Sequence, residues 1–407
     1  MSYRGVGSRA IHPGAALGRG AGKHGADVNL LLVSNDPRWE RAVGAAAADC
    51  GGAVVSNIRA RDALARLAGA STRYSHLLLD QGCADGLLHE LADLTSEPAG
   101  SRTEMLMLGA ATPPHPHVGV IAAANSRLVR AALMGPAVPR GQDAAAMPTS
   151  ELRAAVAGSM IEARYQPIVL MSNRRPVALE VLARLKHPVR GMLPPDRFVP
   201  QLEDAGLAAL LTERISARAF TDLARPGLAC GDLRITLNFP LDVLLMPEAL
   251  DCLEKQRSAA GISASRLTIE LTESRPVDDL VTLGRSLERL RRLGYGVAID
   301  DVGHAVPRLA PLLELPFSTL KLDKGMVQQV ETSSETREFL ERTIQQARSH
   351  GLHVVAEGVE TVALWHAMRA MGADSAQGFL VARPLPIAAV PIWRDAWDRA
   401  PDFPPAA

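Results

Sequence analysis

Residues 297–301 read Val297-Ala-Ile-Asp-Asp301, so three apolar residues run directly into two adjacent carboxylates. A strand buried on both faces reads as a short, near-continuous apolar run, and this one ends on charge. The arrangement recurs along the second half of the chain. Glu180 stands in Ala178-Leu-Glu-Val-Leu-Ala-Arg184, Asn238 in Ile235-Thr-Leu-Asn-Phe239, and Glu270 in Leu267-Thr-Ile-Glu-Leu271. Lys321 stands in Thr319-Leu-Lys-Leu-Asp323, Glu357 in Val354-Val-Ala-Glu-Gly358, and Gln377 in Ala376-Gln-Gly-Phe379. The spacing predicts strands at Arg164–Val169, Ala178–Leu182, Arg234–Phe239, Leu267–Leu271, Gly296–Ile299, Thr319–Leu322, His353–Ala356 and Gln377–Leu380. Helical stretches such as Val281–Leu293 and Glu335–His350 separate several of them. Eight strands alternating with helices over ~245 residues is the size of a β/α barrel, whose strand ends converge on one mouth. An open eight-stranded sheet would carry the same rhythm.

A carboxylate inside an apolar strand is costly to bury unless it is paired or ligated. Each acid alone is compatible with a helix N-cap. Glu180, Glu270, Asp300, Asp301 and Glu357 together, with Asn238 and Lys321, point instead to a hard-cation site. All-oxygen ligands without clustered His or Cys favour Mg²⁺ or Mn²⁺. An adjacent Asp-Asp pair suits a two-metal phosphoryl-transfer site. Lys321 would balance phosphate charge or hold the nucleophilic water.

These residues carry a resemblance. Tyr165-Gln-Pro-Ile-Val169, Glu180-Val-Leu-Ala-Arg184, Asn238, Glu270-Leu-Thr-Glu273, Asp300-Asp-Val-Gly303, Lys321-Leu-Asp323, Glu357-Gly-Val-Glu360 and Gln377-Gly-Phe379 resemble the EAL-domain phosphodiesterases of cyclic di-GMP. The resemblance implies a TIM-like barrel (the EAL fold) that hydrolyses cyclic di-GMP to linear pGpG with Mg²⁺ or Mn²⁺ at a two-metal site. It implies that Glu180, Asn238, Glu270 and Asp300 ligate one metal, and that Asp300, Asp301 and Glu357 surround the second. Lys321 matches the lysine beside the attacking water, and Glu357 is also a candidate to steer that water or accept its proton. Glu180, Lys321 and Glu357 are thus the expected catalytic residues, and Gln166, Arg184, Glu360 and Gln377 match substrate-contacting or supporting positions. A guanidinium fork such as that of Arg184 binds two phosphate oxygens.

Two departures stand out. Val181 replaces the signature alanine, on a side chain that faces away from Glu180 in a strand. The family's loop after the Asp-Asp pair is small and flexible, shapes the second-metal site and makes the dimer contact. Here Val302–Leu309 carries Ala305, Pro307 and Arg308, and proline removes a backbone donor. His304 reads as an ordinary loop residue, while Glu273, whose family counterpart tethers this loop, is present. Hydrolysis is the expected activity, weak or conditional because of the loop. The alternative is a catalytically inactive effector that binds cyclic di-GMP or a protein partner.

Upstream, Val28–Val33, Ala53–Val55, His76–Leu79, Met105–Leu108 and Val118–Ile121 alternate with helical stretches Arg38–Cys50 and Arg59–Ala68. This is the pattern of a doubly wound, flavodoxin-like α/β unit. It resembles a response-regulator receiver, with Asp80 at the phosphoacceptor position. The resemblance is to a degenerate receiver: only Asp36 follows the first strand as a cation-holding acid, Thr112 comes late, and no lysine follows the fifth strand near Ala122–Asn125. The expected division is a flexible tail over 1–26, this unit over 27–135, a linker over 136–154, the EAL unit over 155–395 and a C-terminal tail over 396–407.

With 44 basic against 44 acidic residues, the neutral chain lacks the charge for a nucleic-acid coat or polybasic membrane surface. No helix-turn-helix or basic region speaks for DNA binding. No apolar run is long enough to span a membrane, and cysteines at 50, 83, 230 and 252 form no CxxC pair. A cytoplasmic protein is expected, with neither DNA nor membrane as partner. The first 25 residues carry no signal-peptide core, and Gly5–Ala10 follows no strand and is read as tail rather than a dinucleotide fingerprint. Neither a G-x-S-x-G elbow nor HExxH is present. The family resemblance adds an expected homodimer or higher oligomer, and the receiver resemblance a possible protein partner.

Overall fold

The computed structural model describes residues 28–56, 58–69, 74–96, 103–110, 118–121, 123–134, 147–225, 233–272, 280–303 and 309–403. The expected N-terminal tail, Thr112, Glu273 and residues 304–308 lie outside them.

The first unit is a five-stranded sheet built from β1 (Asn29–Val33), β2 (Ala53–Val55), β3 (His76–Asp80), β4 (Glu104–Leu108) and β5 (Val118–Ile121). Its order is β2-β1-β3-β4-β5, and every pairing is parallel. The alternation of side chains explains why these runs are apolar throughout. Leu30, Leu32 and Leu78 pack on one face with Trp39, Val43 and Val129, from helices Pro37–Asp49 and Ser126–Met134. Leu31, Val33, Leu77 and Leu79 face Leu64, Leu67 and Leu91 on helices Ala60–Ala68 and Leu88–Ser96.

The second unit is a closed barrel. Its strands are β6 (Ile161–Leu170), β7 (Pro176–His187), β8 (Gly191–Leu193), β9 (Arg234–Pro240), β10 (Leu267–Thr272), β11 (Gly296–Val302), β12 (Thr319–Leu322), β13 (His353–Ala356) and β14 (Ser375–Ala376). The order β6-β14-β13-β12-β11-β10-β9-β7-β8 is closed by an additional β6–β7 pairing. An open sheet is thereby excluded. β6 runs antiparallel to both β7 and β14, whereas β7 and β9 through β14 are mutually parallel. Strand alternation sorts the residues radially. Leu267, Ile269 and Leu271 of β10 join the main core with Leu283 and Leu287 of helix Leu280–Leu293, while Thr268 and Glu270 take the opposite, inner face.

Three expectations need correction. The last strand is not Gln377–Leu380 but the two-residue β14 just before it. The chain bends there because Gly378 passes so close to the next segment that a Cβ on it would lie 2.3 Å from the Val359 carbonyl oxygen. The linker ends before residue 154, since helix Thr149–Ala157 begins inside it and buries Leu152, Ala155 and Val156. Nor is residue 396 the start of a tail: helix Val390–Arg399 runs through it, and Trp397 stacks on Trp393 with ring centroids 5.9 Å apart. Phe403 in turn packs edge-on against Trp365. Val390, Trp393 and Trp397 follow helical spacing, a pattern that the sequence division cut at residue 395.

The two units share one apolar core. Asp93 lies 3.1 Å from the buried guanidinium of Arg164 on β6, Arg61 pairs with Asp395 at 2.5 Å, and Arg383 N–H donates to the Ala68 carbonyl at 3.1 Å. The helix face of the first unit is therefore docked on β6 and on the segment following Gln377.

Candidate functional site

The inner-face side chains of six barrel strands meet at one mouth. Glu180 comes from β7, Asn238 from β9, Glu270 from β10, Asp300 and Asp301 from β11, Lys321 from β12, and Glu357 from the residue following β13. In-register pairing sets Glu270 directly beside Asn238. Lys321 is the hub, its Nζ lying 2.6 Å from Glu357, 2.9 Å from Glu270, 3.0 Å from Asp300 and 3.7 Å from Glu180. Asn238 Nδ2 donates to Glu180 Oε1 at 3.1 Å, and Gln377 Nε2 donates to Glu180 Oε2 at 2.5 Å. Gln377 also donates to Gln166 Oε1 at 3.0 Å, and Gln166 to the Ala382 carbonyl at 3.0 Å.

One ammonium cannot neutralise four buried carboxylates, and the proton affinities show it. Burial lifts Glu270 to about 8, with Lys321 opposing and Glu180 and Asp300 adding to the rise. Burial also raises Glu357 far above the carboxylate range, although Lys321 pulls it down. Asp301 is lifted to about 6 by burial and by Asp300. Glu180 falls below its ordinary value, because Lys321 and the amides of Gln377 and Asn238 outweigh its burial. Lys321 itself is held protonated, the carboxylates overcoming its burial. Such a cluster is short of positive charge.

Two groups of carboxylates are placed to accept it. Glu180, Glu270 and Asp300 each offer an oxygen within 4.8 Å of the others, and so do Asp300, Asp301 and Glu357. Asp300 belongs to both. Glu270 Oε1 is buried without a hydrogen-bond partner among the described residues, an oxygen that a cation would satisfy. The all-oxygen donor set fits Mg²⁺ or Mn²⁺. The register of β11 against β12 slips between Ile299 and Val302, and Asp301 takes a left-handed backbone with φ 51°. A non-glycine residue there is strained, and the slip turns two adjacent carboxylates toward one site where a regular strand would send them to opposite faces.

A cavity of about 440 Å³ opens beside the carboxylates. Its walls include Leu182, Asp196, Pro200 and Glu203, residues that sequence reading missed. They come from β7 and the turn and helix Pro195–Asp204 that follow it, and the prolines of Pro194-Pro195 were the one available signal of a shaped loop. Arg184 is buried on the same face of β7 as Glu180, its Nη1 donating to the Ala183 carbonyl at 3.0 Å. Glu360 is tied elsewhere, accepting from Gln328 at 2.9 Å and lying 3.3 Å from Lys324. Glu273, His304, Pro307 and Arg308 fall outside the described residues.

In the first unit, Asp80 closes β3. Its Oδ2 accepts from Ser34 at 3.1 Å and its Oδ1 from Gly82 N–H at 3.2 Å. Asp36 is spent on capping helix Pro37–Asp49 and on the Arg38 guanidinium, whose hydrogen bond holds its carboxyl below the ordinary range. Among the described residues, no group of three potential ligands gathers at Asp80.

The EAL domain family model matches residues 149–384. Cyclic di-GMP phosphodiesterase NbdA of Pseudomonas aeruginosa is 35% identical over 254 residues, which is 62% of this chain and 32% of that protein. The bifunctional diguanylate cyclase/cyclic di-GMP phosphodiesterase MucR of the same organism is 32% identical over 58% of this chain and 35% of its own length. The chain thus spans about a third of each of these curated relatives. The solved structure described as the PaMucR phosphodiesterase in complex with c-di-GMP superposes with a TM-score of 0.56 at 30% identity, covering 59% of this chain and 98% of that one. A barrel closed through an antiparallel β6, a mouth of strand-borne carboxylates around one lysine, and a family match over more than half of the sequence converge: this chain belongs to the EAL domain family.

Proposed function

We propose that this chain hydrolyses cyclic di-GMP to linear pGpG at the barrel mouth. The observation that carries the reading is the paired carboxylate groups sharing Asp300, with an unpartnered Glu270 oxygen between β9 and β11. Glu180, Asn238, Glu270 and Asp300 would hold one divalent cation, and Asp300, Asp301 and Glu357 a second. Bound there, the pair supplies charge stabilisation for the attacking and leaving oxygens of a phosphodiester.

The chain's own groups do the rest. Water adds to phosphorus as the bond from phosphorus to a ribose 3′ oxygen breaks, and that oxygen takes a proton from solvent to leave as a hydroxyl. Lys321, kept charged by its four neighbours, donates hydrogen bonds and cannot serve as the base. Glu357, grouped with Asp300 and Asp301 and 2.6 Å from Lys321, is the carboxylate placed to accept the water's proton. Gln377 and Asn238 fix the Glu180 carboxylate from two sides, and Gln166 fixes Gln377. Leu182 and Pro200 offer apolar surface for a base, and Arg184, four residues beyond Glu180 on the same strand, carries a fork that suits phosphate.

The first unit reads as a receiver-like module without phosphoryl chemistry, because Asp36 is committed to Arg38 and no lysine follows β5 closely. Its regulatory route would be the Asp93–Arg164 pair, one residue from Tyr165 and two from Gln166. A homodimer through the barrel belongs to the same reading. The second reading, an effector that binds the dinucleotide without cleaving it, is favoured by Pro307 and Arg308 in the loop after Asp301.

Chromatography of cyclic di-GMP incubated with the protein and Mg²⁺ or Mn²⁺ decides between them. Formation of pGpG by the parent protein but not by Glu180→Ala is expected. Intact dinucleotide that nevertheless binds would establish the effector.

A further inference from the structure

The barrel has a second cavity, of about 660 Å³, at the end opposite the mouth. Its lining comes from strand beginnings: Arg234 is the first residue of β9, Gly296 of β11, Thr319 of β12 and His353 of β13. The space exists because several inner positions one layer below the carboxylates are small, with Ala178, Thr236 and Thr268 where barrels carry bulkier residues. Glycine at 296 is part of the same economy, since a Cβ there would lie 2.6 Å from Thr268 Oγ1.

Charge is distributed unevenly around this cavity. Arg175, Arg234 and Arg291 all line it, and among the described residues none of the three is paired with a carboxylate. Arg291 donates only to the Tyr295 carbonyl, at 2.8 Å, and the Arg175 and Arg234 guanidinium groups have no protein partner among those residues. The nearby acids are committed. Asp374 accepts from Val354 N–H at 2.8 Å and faces His353 at 3.9 Å, and Glu270, at the inner end, is bonded to Lys321. Burial first, and the charge of Arg234 against the opposing pull of Asp374, hold His353 below its ordinary value, so it adds no positive charge of its own. Inside the cavity Thr236 is 5% exposed and its Oγ1 has no hydrogen-bond partner among the described residues. A buried hydroxyl without a partner among the described residues, beside three exposed guanidinium groups that no carboxylate there pairs, is an arrangement that a bound polar molecule completes. Ile168, Ala178 and Val355 add an apolar wall.

We propose that this end of the barrel is a binding site for a small organic phosphate, with the phosphate among Arg175, Arg234 and Arg291 and the uncharged body against the apolar wall and Thr236. Three guanidinium groups suit a phosphate dianion in charge and in paired donor geometry. The volume is that of a small-molecule pocket rather than an ion site. The site shares no arginine with the catalytic mouth and does not depend on the hydrolytic reading.

Isothermal titration of the full chain with ribose 5-phosphate, adenosine monophosphate, inorganic phosphate and uncharged adenosine tests it. The organic phosphates are expected to bind, with adenosine and inorganic phosphate each about tenfold weaker or more. Arg175→Gln combined with Arg234→Gln should weaken binding by about tenfold or more, and Thr236→Val should weaken the organic phosphates while sparing the fold. Glu180→Ala should bind as the parent does, and the double arginine variant should keep parental cyclic di-GMP hydrolysis. Several results would overturn the proposal: no binding of any phosphate up to about 5 mM, binding indifferent to both arginines, or binding lost in Glu180→Ala, which would move it to the mouth. Inorganic phosphate binding as tightly as ribose 5-phosphate would reduce the site to a free-anion site and refute the organic ligand.

Discussion

Replacing Lys321 by methionine in cation-free protein removes the one positive charge that four carboxylates share, at 2.6, 2.9, 3.0 and 3.7 Å. Methionine keeps the length and the apolar stem, so the loss is electrostatic. The carboxylates respond by holding a proton that the unfolded chain releases near its ordinary carboxylate pKa. Glu270, already raised to about 8, shows that the folded site retains protons across the neutral range. An acid whose folded pKa is raised binds more protons folded than unfolded, so stability falls as pH rises between the two values. One extra proton held by the variant across pH 5 to 8 amounts to ~1.4 kcal/mol per pH unit, or about 4 kcal/mol over the interval. That agrees with the ~3–5 kcal/mol for breaking a buried pair. Thermal melts in chelator should therefore show a small penalty at pH 5 that grows to about 8–16 °C at pH 8. A penalty of equal size at both pH values would refute the charge-sharing account and leave only lost packing.

Four further outcomes follow from other parts of the molecule. Gly358→Ala should abolish most hydrolysis with a modest fall in stability, because φ is +65° and a Cβ would lie 2.4 Å from Lys324 Cγ, displacing the adjacent Glu357; a parental rate would show that the turn can shift freely. Deleting residues 396–407 removes Trp397 from its stack on Trp393 and should destabilise the barrel by about 3–5 kcal/mol in denaturant titrations. Gln377→Ala frees the Glu180 carboxylate and should lower kcat more than it raises KM, which steady-state kinetics resolves. Arg164→Met should loosen the first unit, seen as faster hydrogen exchange in helix Leu88–Ser96, whereas unchanged protection would show that the Asp93 pair contributes nothing to docking.

The barrel was legible in the sequence because its strands are short apolar runs broken by polar residues at inward positions, as at Glu270 between Ile269 and Leu271. Seven of the eight expected strands lie within observed ones, and the convergence of Glu180, Asn238, Glu270, Asp300, Asp301, Lys321 and Glu357 follows from parallel register. The antiparallel direction of β6 was not legible, since periodicity carries no sense of chain direction. The cavity walls at Asp196 and Glu203 were also missed, because surface-like polar residues in a short helix have no distinctive spacing. The arginine-lined cavity at the far end depends on which small residues stack across four strands, a relation that only the closed barrel reveals.

The central claim is that strand-borne carboxylates hold two cations with Asp300 between them. Anomalous scattering from crystals grown with Mn²⁺ tests it most directly. The account predicts two peaks at the mouth, one against Glu180, Asn238, Glu270 and Asp300, the other against Asp300, Asp301 and Glu357. A single peak that leaves Asp301 and Glu357 without a cation, or no peak at the mouth, would contradict it.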